Sequence, residues 1–342
     1  MYHNVITLFT QPIKDKRQFT IIVLSSLLFI FMPQLPPSDW KLNTVGLFEN
    51  LFGVYQNPNY VYPPWALIPL CLYRLIGSEG TRILSVITIG LLCNQQQWSL
   101  INYFTIILSP YFLATMTKSN IDIISYVLPV ILMNSSRQSP RFQFIKQLIA
   151  VYLLLIKPQG ALFLLPYLFV LNDIPLRRVL ELGLTIMLLT IPISLVGDPP
   201  LGIQWINNIT HPSPQNEFYW SINNISITSK TYILQGIIVV IIISLLILCL
   251  VKRNVILWSS SHWVSSLLFL SMLLSPYTSQ QSLSSSLAFV PSVFAFVYQL
   301  LLILFISYRS LYFDYLPFIV ISVFLISIIT FKYPKSPDET TI

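Results

Sequence analysis

An isolated aspartate, Asp39, follows the first long hydrophobic segment of the chain, and the aromatic, proline-rich stretch Asn57-Pro-Asn-Tyr-Val-Tyr-Pro-Pro-Trp65 closes the same polar loop. A carboxylate can take the proton from a hydroxyl while its oxygen attacks an electrophilic carbon, which is the chemistry of sugar transfer to an alcohol. Asp39 is therefore the candidate general base. Aspartate is also a good helix N-cap, and a solvated capping role competes with the catalytic one. Glu49 is the reserve candidate. It lies on the amphipathic stretch 45–55, expected to lie along a membrane interface, where an acid also serves simply as part of the wet face.

Ile156-Lys157-Pro158-Gln159 interrupts an apolar region running from Leu148 to Leu171. A lysine in such a place is costly unless it is paired or hydrated. It suits a phosphate at the membrane surface, met as a point charge. The alternative is a lysine whose stem snorkels to the headgroups. Leu274-Ser-Pro-Tyr-Thr-Ser-Gln-Gln-Ser282 is a second polar interruption, and Tyr277 and Gln280 there offer hydroxyl and amide groups of the kind that hydrogen-bond sugars. Of the other acids, Asp122, Asp198 and Glu217 fall on the same expected side as Asp39. Asp198 precedes Pro199-Pro200 and reads as a turn residue, and Glu181 reads as the helical partner of Arg177 and Arg178. Soluble-enzyme signatures such as a phosphate loop or HExxH are absent. The three cysteines sit in apolar segments without metal-ligand spacing, and the three histidines lie far apart, so no cofactor or metal is indicated.

These residues must be held by a membrane scaffold. The chain has 342 residues, 55% apolar and only 9% charged, against roughly 25% charged in soluble domains. Its mean hydropathy is +0.72. The expected class is an all-α polytopic membrane protein with about 10–12 transmembrane or partly spanning helices, and the long Ile/Leu/Val runs exclude a barrel of short alternating strands. Segments 19–35, 176–196, 231–251, 255–274, 283–307 and 312–331 read as full spans. Segments 64–76, 83–93, 98–116, 121–133, 144–156 and 160–171 read as short, broken helices of the N-terminal half, packed around a polar site. Pro63 and Pro64 mark a helix start, because proline fits only a helix's first turn without loss.

The formal charge of +7 is spread over short loops. It orients the protein in the bilayer and points to no nucleic acid. The N-terminus carries Lys14, Lys16 and Arg17 before a retained first helix. With basic clusters at 14–17, 74–82, 137–146, 177–178, 252–253 and Arg309 on the cytoplasmic side, loops 36–63, 157–159, 197–230 and 275–282 face outward. The whole chain, 1–342, reads as one transmembrane domain. It has a cytoplasmic N-terminus (1–18), a first outer loop with an interfacial helix (36–63), a large outer loop (197–230) and a mobile tail (332–342).

In order along the chain, the acid Asp39, the turn Tyr62-Pro63-Pro64, the turn Lys157-Pro158, the Asn223-Asn-Ile-Ser226 element and Ser275-Pro276 resemble the GT-C superfamily of integral membrane glycosyltransferases, and within it glycosyltransferase family 87 (DUF2029), the polyprenyl-phosphate-mannose-dependent mannosyltransferases. Thr117-Lys-Ser-Asn120 stands at the place of the family's Gly-Gln turn. The resemblance implies an inverting glycosyltransferase of the plasma membrane with an outward-facing site. Its donor is a sugar, mannose or another hexose or pentose, on a polyprenyl phosphate, and its acceptor a lipid or glycan. Asp39 deprotonates the acceptor, Lys157 and Gln159 meet the donor phosphate, and Trp40, Tyr60, Tyr62, Trp65, Asn224, Tyr277 and Gln280 contact sugar or acceptor. The competing expectation is a non-catalytic membrane subunit or a lipid or sugar transporter.

Overall fold

The computed structural model describes residues 11–34, 55, 62–134, 140–210, 260–274, 282–306 and 312–331, and among them the chain is helical with no strand. Helix α1 (Lys16–Leu28) starts where Asp15 caps it: Asp15 Oδ1 accepts from the Arg17 N–H at 3.1 Å, and Gln18 Oε1 accepts from the Asp15 N–H at 3.1 Å. This reciprocal pair satisfies donors that a helix start otherwise leaves open. A 3-10 turn, Phe29–Phe31, ends the segment.

Pro64 opens a 3-10 turn, Pro64–Ala66, as the proline pair predicts, and it leads into α2 (Leu67–Gln95). The sequence suggests two short apolar helices here. The structure instead joins them into one element broken at Gly77, whose φ of 76° is a left-handed value open to glycine. The second limb of α2 packs antiparallel on α1, and Gly90 makes this contact possible: a Cβ there would lie 2.5 Å from Ile22 Cγ2.

Next come α3 (Leu100–Ile107) and α4 (Pro110–Thr117), bent by 57° where Pro110 interrupts the apolar run. A π turn at Ile123–Val127 runs into α5 (Leu128–Met133). Helices α6 (Pro140–Ile156) and α7 (Pro158–Leu171) form a hairpin around Lys157, followed by α8 (Leu176–Leu195) and α9 (Leu201–Thr210). The C-terminal part holds α10 (Ser260–Leu274), α11 (Leu283–Leu287), α12 (Val293–Ile306) and α13 (Tyr312–Thr330). The expected span 283–307 is thus broken near Pro291.

Among the described residues, Pro64–Gln95 and Leu176–Leu195 are long and apolar enough to cross a membrane, and the bent α3–α4 pair makes a third if it counts as one span. That is fewer than the 10–12 expected, because several apolar runs are bent or shorter than a bilayer, and 231–251 lies outside the described residues. Helix α8 keeps Leu180, Leu184 and Leu188 exposed along one side, an apolar face that suits lipid.

The bundle has two distinct ends. At one, the Ile13 N–H donates to the Trp98 carbonyl at 2.8 Å, Asn94 Nδ2 donates to the Ile13 carbonyl at 3.0 Å, and Trp98 meets Phe331 edge-on at 5.5 Å. Arg178 lies there too, over the Phe144 ring at 4.9 Å near the start of α6. The opposite end carries the helix breaks and the polar turns.

Candidate functional site

The polar end is built from the turns between helices. Pro158 has no N–H with which to continue α6 and disfavours a helical backbone in the residue before it. Lys157 accordingly leaves the helix with φ −122° and ψ 82° and caps α7. Across from it, the α4 exit passes through Ser119 in the left-handed region, with φ 50°. Asn120 then closes an Asx turn, its Oδ1 accepting from the Asp122 N–H at 2.9 Å. The π turn that follows widens the backbone at this point, as such turns do at functional sites.

These turns put two opposite charges together. Lys157 Nζ donates to Asp122 Oδ1 in a buried ion pair, with side-chain exposures of 12% and 0%. Asn120 Oδ1 lies 3.4 Å from the same ammonium, and the Ser282 hydroxyl donates to Asp122 Oδ2. The ammonium also lies 5.5 Å from the centre of the Tyr62 ring. Such a pair is tolerable in an apolar interior because each charge answers the other and further hydrogen bonds serve the remaining valences.

Aromatic residues wall this centre. Tyr55 donates its hydroxyl to the Tyr62 carbonyl at 2.7 Å, and Asn208 Nδ2 donates to the Tyr55 carbonyl at 3.1 Å. Trp65 donates its indole N–H to the Leu155 carbonyl at 2.8 Å and meets Trp205 edge-on at 5.3 Å. Tyr126 lies so close to α7 that a Cβ at Gly160 would fall 1.9 Å from its Cε1.

Several sequence expectations meet here. Tyr62, Trp65 and Lys157 come together, and the described residues Tyr55, Tyr62, Asp122, Lys157, Asn208 and Ser282, all from stretches assigned to the outer side, converge on one place. Lys157, expected to meet a phosphate or the headgroups, is paired with Asp122. Trp65 has committed its N–H to backbone, so it can offer a ligand only its ring. Gln159 stands in the first turn of α7. Asp39, Glu49, Trp40, Tyr60, Asn224, Tyr277 and Gln280 lie outside the described residues. Asp122 is a functional residue that the sequence offers only as one of several outer-side acids, although an apolar-flanked lysine requires a counter-charge. Glu181 does pair with Arg177 at 3.1 Å and Arg178 at 3.3 Å, as its spacing implies.

One topological expectation is corrected. Arg82 belongs to the basic cluster 74–82, assigned to the same side as 14–17. It donates to the Met32 carbonyl and, through Nε, to Ser119 Oγ at 2.9 Å, so it lies at the polar end. Lys14, Lys16 and Arg17 lie by the Ile13–Trp98 end. Arg82 is separated from the Ile13 end by the 12 residues of α2 that lead to Asn94, about 18 Å at 1.5 Å each.

No protein-family model matches the chain, and neither a curated protein nor a solved structure matches it.

Proposed function

We propose that the chain is a polytopic membrane glycosyltransferase of the GT-C type, which transfers a sugar with inversion from a polyprenyl phosphate to a hydroxyl of a lipid or glycan. The single observation that supports this reading is the convergence of separately predicted polar outer segments around the buried Asp122–Lys157 pair. Asp39 is the general base. It lies seven residues beyond Met32, so the chain holds it within about 25 Å of the Met32 end of the site.

The acceptor oxygen attacks the anomeric carbon from the face opposite the lipid phosphate. A new C–O bond forms, the bond to the phosphate oxygen breaks, and the phosphate leaves with the electron pair. Asp39 takes the acceptor proton. With both carboxylate oxygens engaged, Asp122 fixes Lys157 and the two turns in place, while Tyr62, Trp65 and Trp205 supply ring surface for sugar or acceptor.

A second reading, a non-catalytic membrane subunit or a lipid or sugar transporter, draws on one observation: the two charges at the centre already neutralise each other. The readings separate in proteoliposomes holding the purified full chain, a panel of polyprenyl-phosphate hexoses and pentoses, and lipid acceptors. Release of free polyprenyl phosphate together with a glycosylated product supports transfer. Donor crossing the bilayer with its sugar still attached supports transport.

A further inference from the structure

The polar end holds a second cation that the ion pair does not account for. Arg82 is 1% exposed. Its Nε donates to Ser119 Oγ at 2.9 Å, and its Nη1 donates to the Phe29 carbonyl at 3.4 Å and to the Met32 carbonyl. Its Nη2 is buried with no hydrogen-bond partner among the described residues. The ion pairs among the described residues are Lys157–Asp122, Arg177–Glu181 and Arg178–Glu181, and none includes Arg82. Glu79, the nearest acid along the helix, accepts from the Ser78 hydroxyl at 2.7 Å and makes no ion pair with it.

A guanidinium enclosed by protein with an open N–H edge calls for an anion, because an unanswered buried charge is among the most unfavourable arrangements a fold can contain. Its position adds to this. Ser119 and Asn120 are adjacent, and Arg82 holds one while Lys157 contacts the other. With Lys157 balanced by Asp122, Arg82 is the cation of this centre without an ion pair among the described residues; Glu79 acts on it only through its field. A planar fork of donors matches a phosphate better than an ammonium does. The carbonyls that anchor Arg82 end the α1 segment, where Leu28 and Phe31 are exposed at 69% and 83%. That apolar surface lets a hydrocarbon tail lie along α1 while its headgroup reaches inward.

We infer that Arg82, rather than Lys157, binds the phosphate of a prenyl-phosphate lipid, with Nη2 as the donor reserved for it. The inference rests on the glycosyltransferase reading for the source of the phosphate and deepens it by naming the residue that holds the leaving group.

The test uses the full chain in phosphatidylcholine nanodiscs, titrated with geranyl phosphate, with inorganic phosphate and with geraniol. The wild type is expected to bind geranyl phosphate at least tenfold more tightly than the other two. Arg82→Gln should weaken that binding tenfold or more and Arg82→Lys three- to tenfold, while Arg177→Gln at the opposite end leaves it unchanged. Folded Arg82→Gln protein that binds geranyl phosphate within twofold of wild type overturns the inference and leaves the glycosyltransferase reading standing. If Arg82→Gln does not fold, Arg82→Lys decides: unchanged binding overturns the inference, and a threefold or greater loss supports it. Inorganic phosphate binding as tightly as geranyl phosphate overturns the lipid source. A wild type that binds no phosphate compound overturns both readings.

Discussion

The two ends of the bundle are made differently. The end near Ile13, Trp98 and Phe331 is joined by regular elements: a capped helix start, backbone hydrogen bonds and an aromatic edge contact. Its ion pairs, Arg177 and Arg178 with Glu181, sit at the surface, with Arg177 91% exposed. The polar end is made of interruptions. A glycine break, a proline-enforced cap, a left-handed serine and a π turn bring one acid and two cations inside. Charge is ornamental to the fold at the first end and structural at the second, and irregular backbone is what lets charged side chains meet in an apolar setting.

The largest way to break this contrast is Asp122→Asn. It leaves Lys157 charged and buried, and the expected loss is about 3–5 kcal/mol. Thermal unfolding in detergent should show it, and the double variant Asp122→Asn/Lys157→Met should recover most of the loss. A single variant as stable as wild type would mean that the pair does not hold this end together. Next in size is Gly160→Ala, whose methyl group collides with Tyr126. Overpacking of this kind costs about 1–3 kcal/mol, and a second change, Tyr126→Leu, should relieve it. Failure of that rescue would place the strain elsewhere.

Gly77→Ala comes third. A non-glycine residue at this positive φ, with ψ 175°, loses about 1–3 kcal/mol, so unfolding should shift down without any change at the Ile13 end, which hydrogen exchange can resolve. The smallest effect belongs to Glu181→Gln at the other end. Exposed pairs contribute about 0–1 kcal/mol, and the difference should shrink further in high salt. A loss comparable to that of Asp122→Asn would erase the distinction between the two ends.

Local chemistry made much of this legible. Pro63-Pro64 marks a helix start and Lys157-Pro158 a turn, because proline acts on its immediate neighbours. The spacing of Arg177, Arg178 and Glu181 gave their pairing in the same way. What stayed hidden was long-range. Asp122 and Lys157 are 35 positions apart, and no periodicity links them, although a lysine flanked by apolar residues announced that some partner had to exist. Arg82 misled for a related reason. Counting basic residues by side presumes that they lie in loops, and Arg82 is a buried helix residue tied to the Met32 carbonyl. Gly77 was also unreadable as a break, since an isolated glycine is tolerated in many helices.

The most direct test of the account compares wild type with Asp39→Asn in the same proteoliposomes, supplied with a polyprenyl-phosphate hexose and a lipid acceptor, with folding checked by unfolding temperature. The account predicts glycosylated product of inverted anomeric configuration from wild type and at least a hundredfold slower transfer from the variant, in keeping with the loss of a general base. Transfer by Asp39→Asn at the wild-type rate, or retention of configuration in the product, would contradict it.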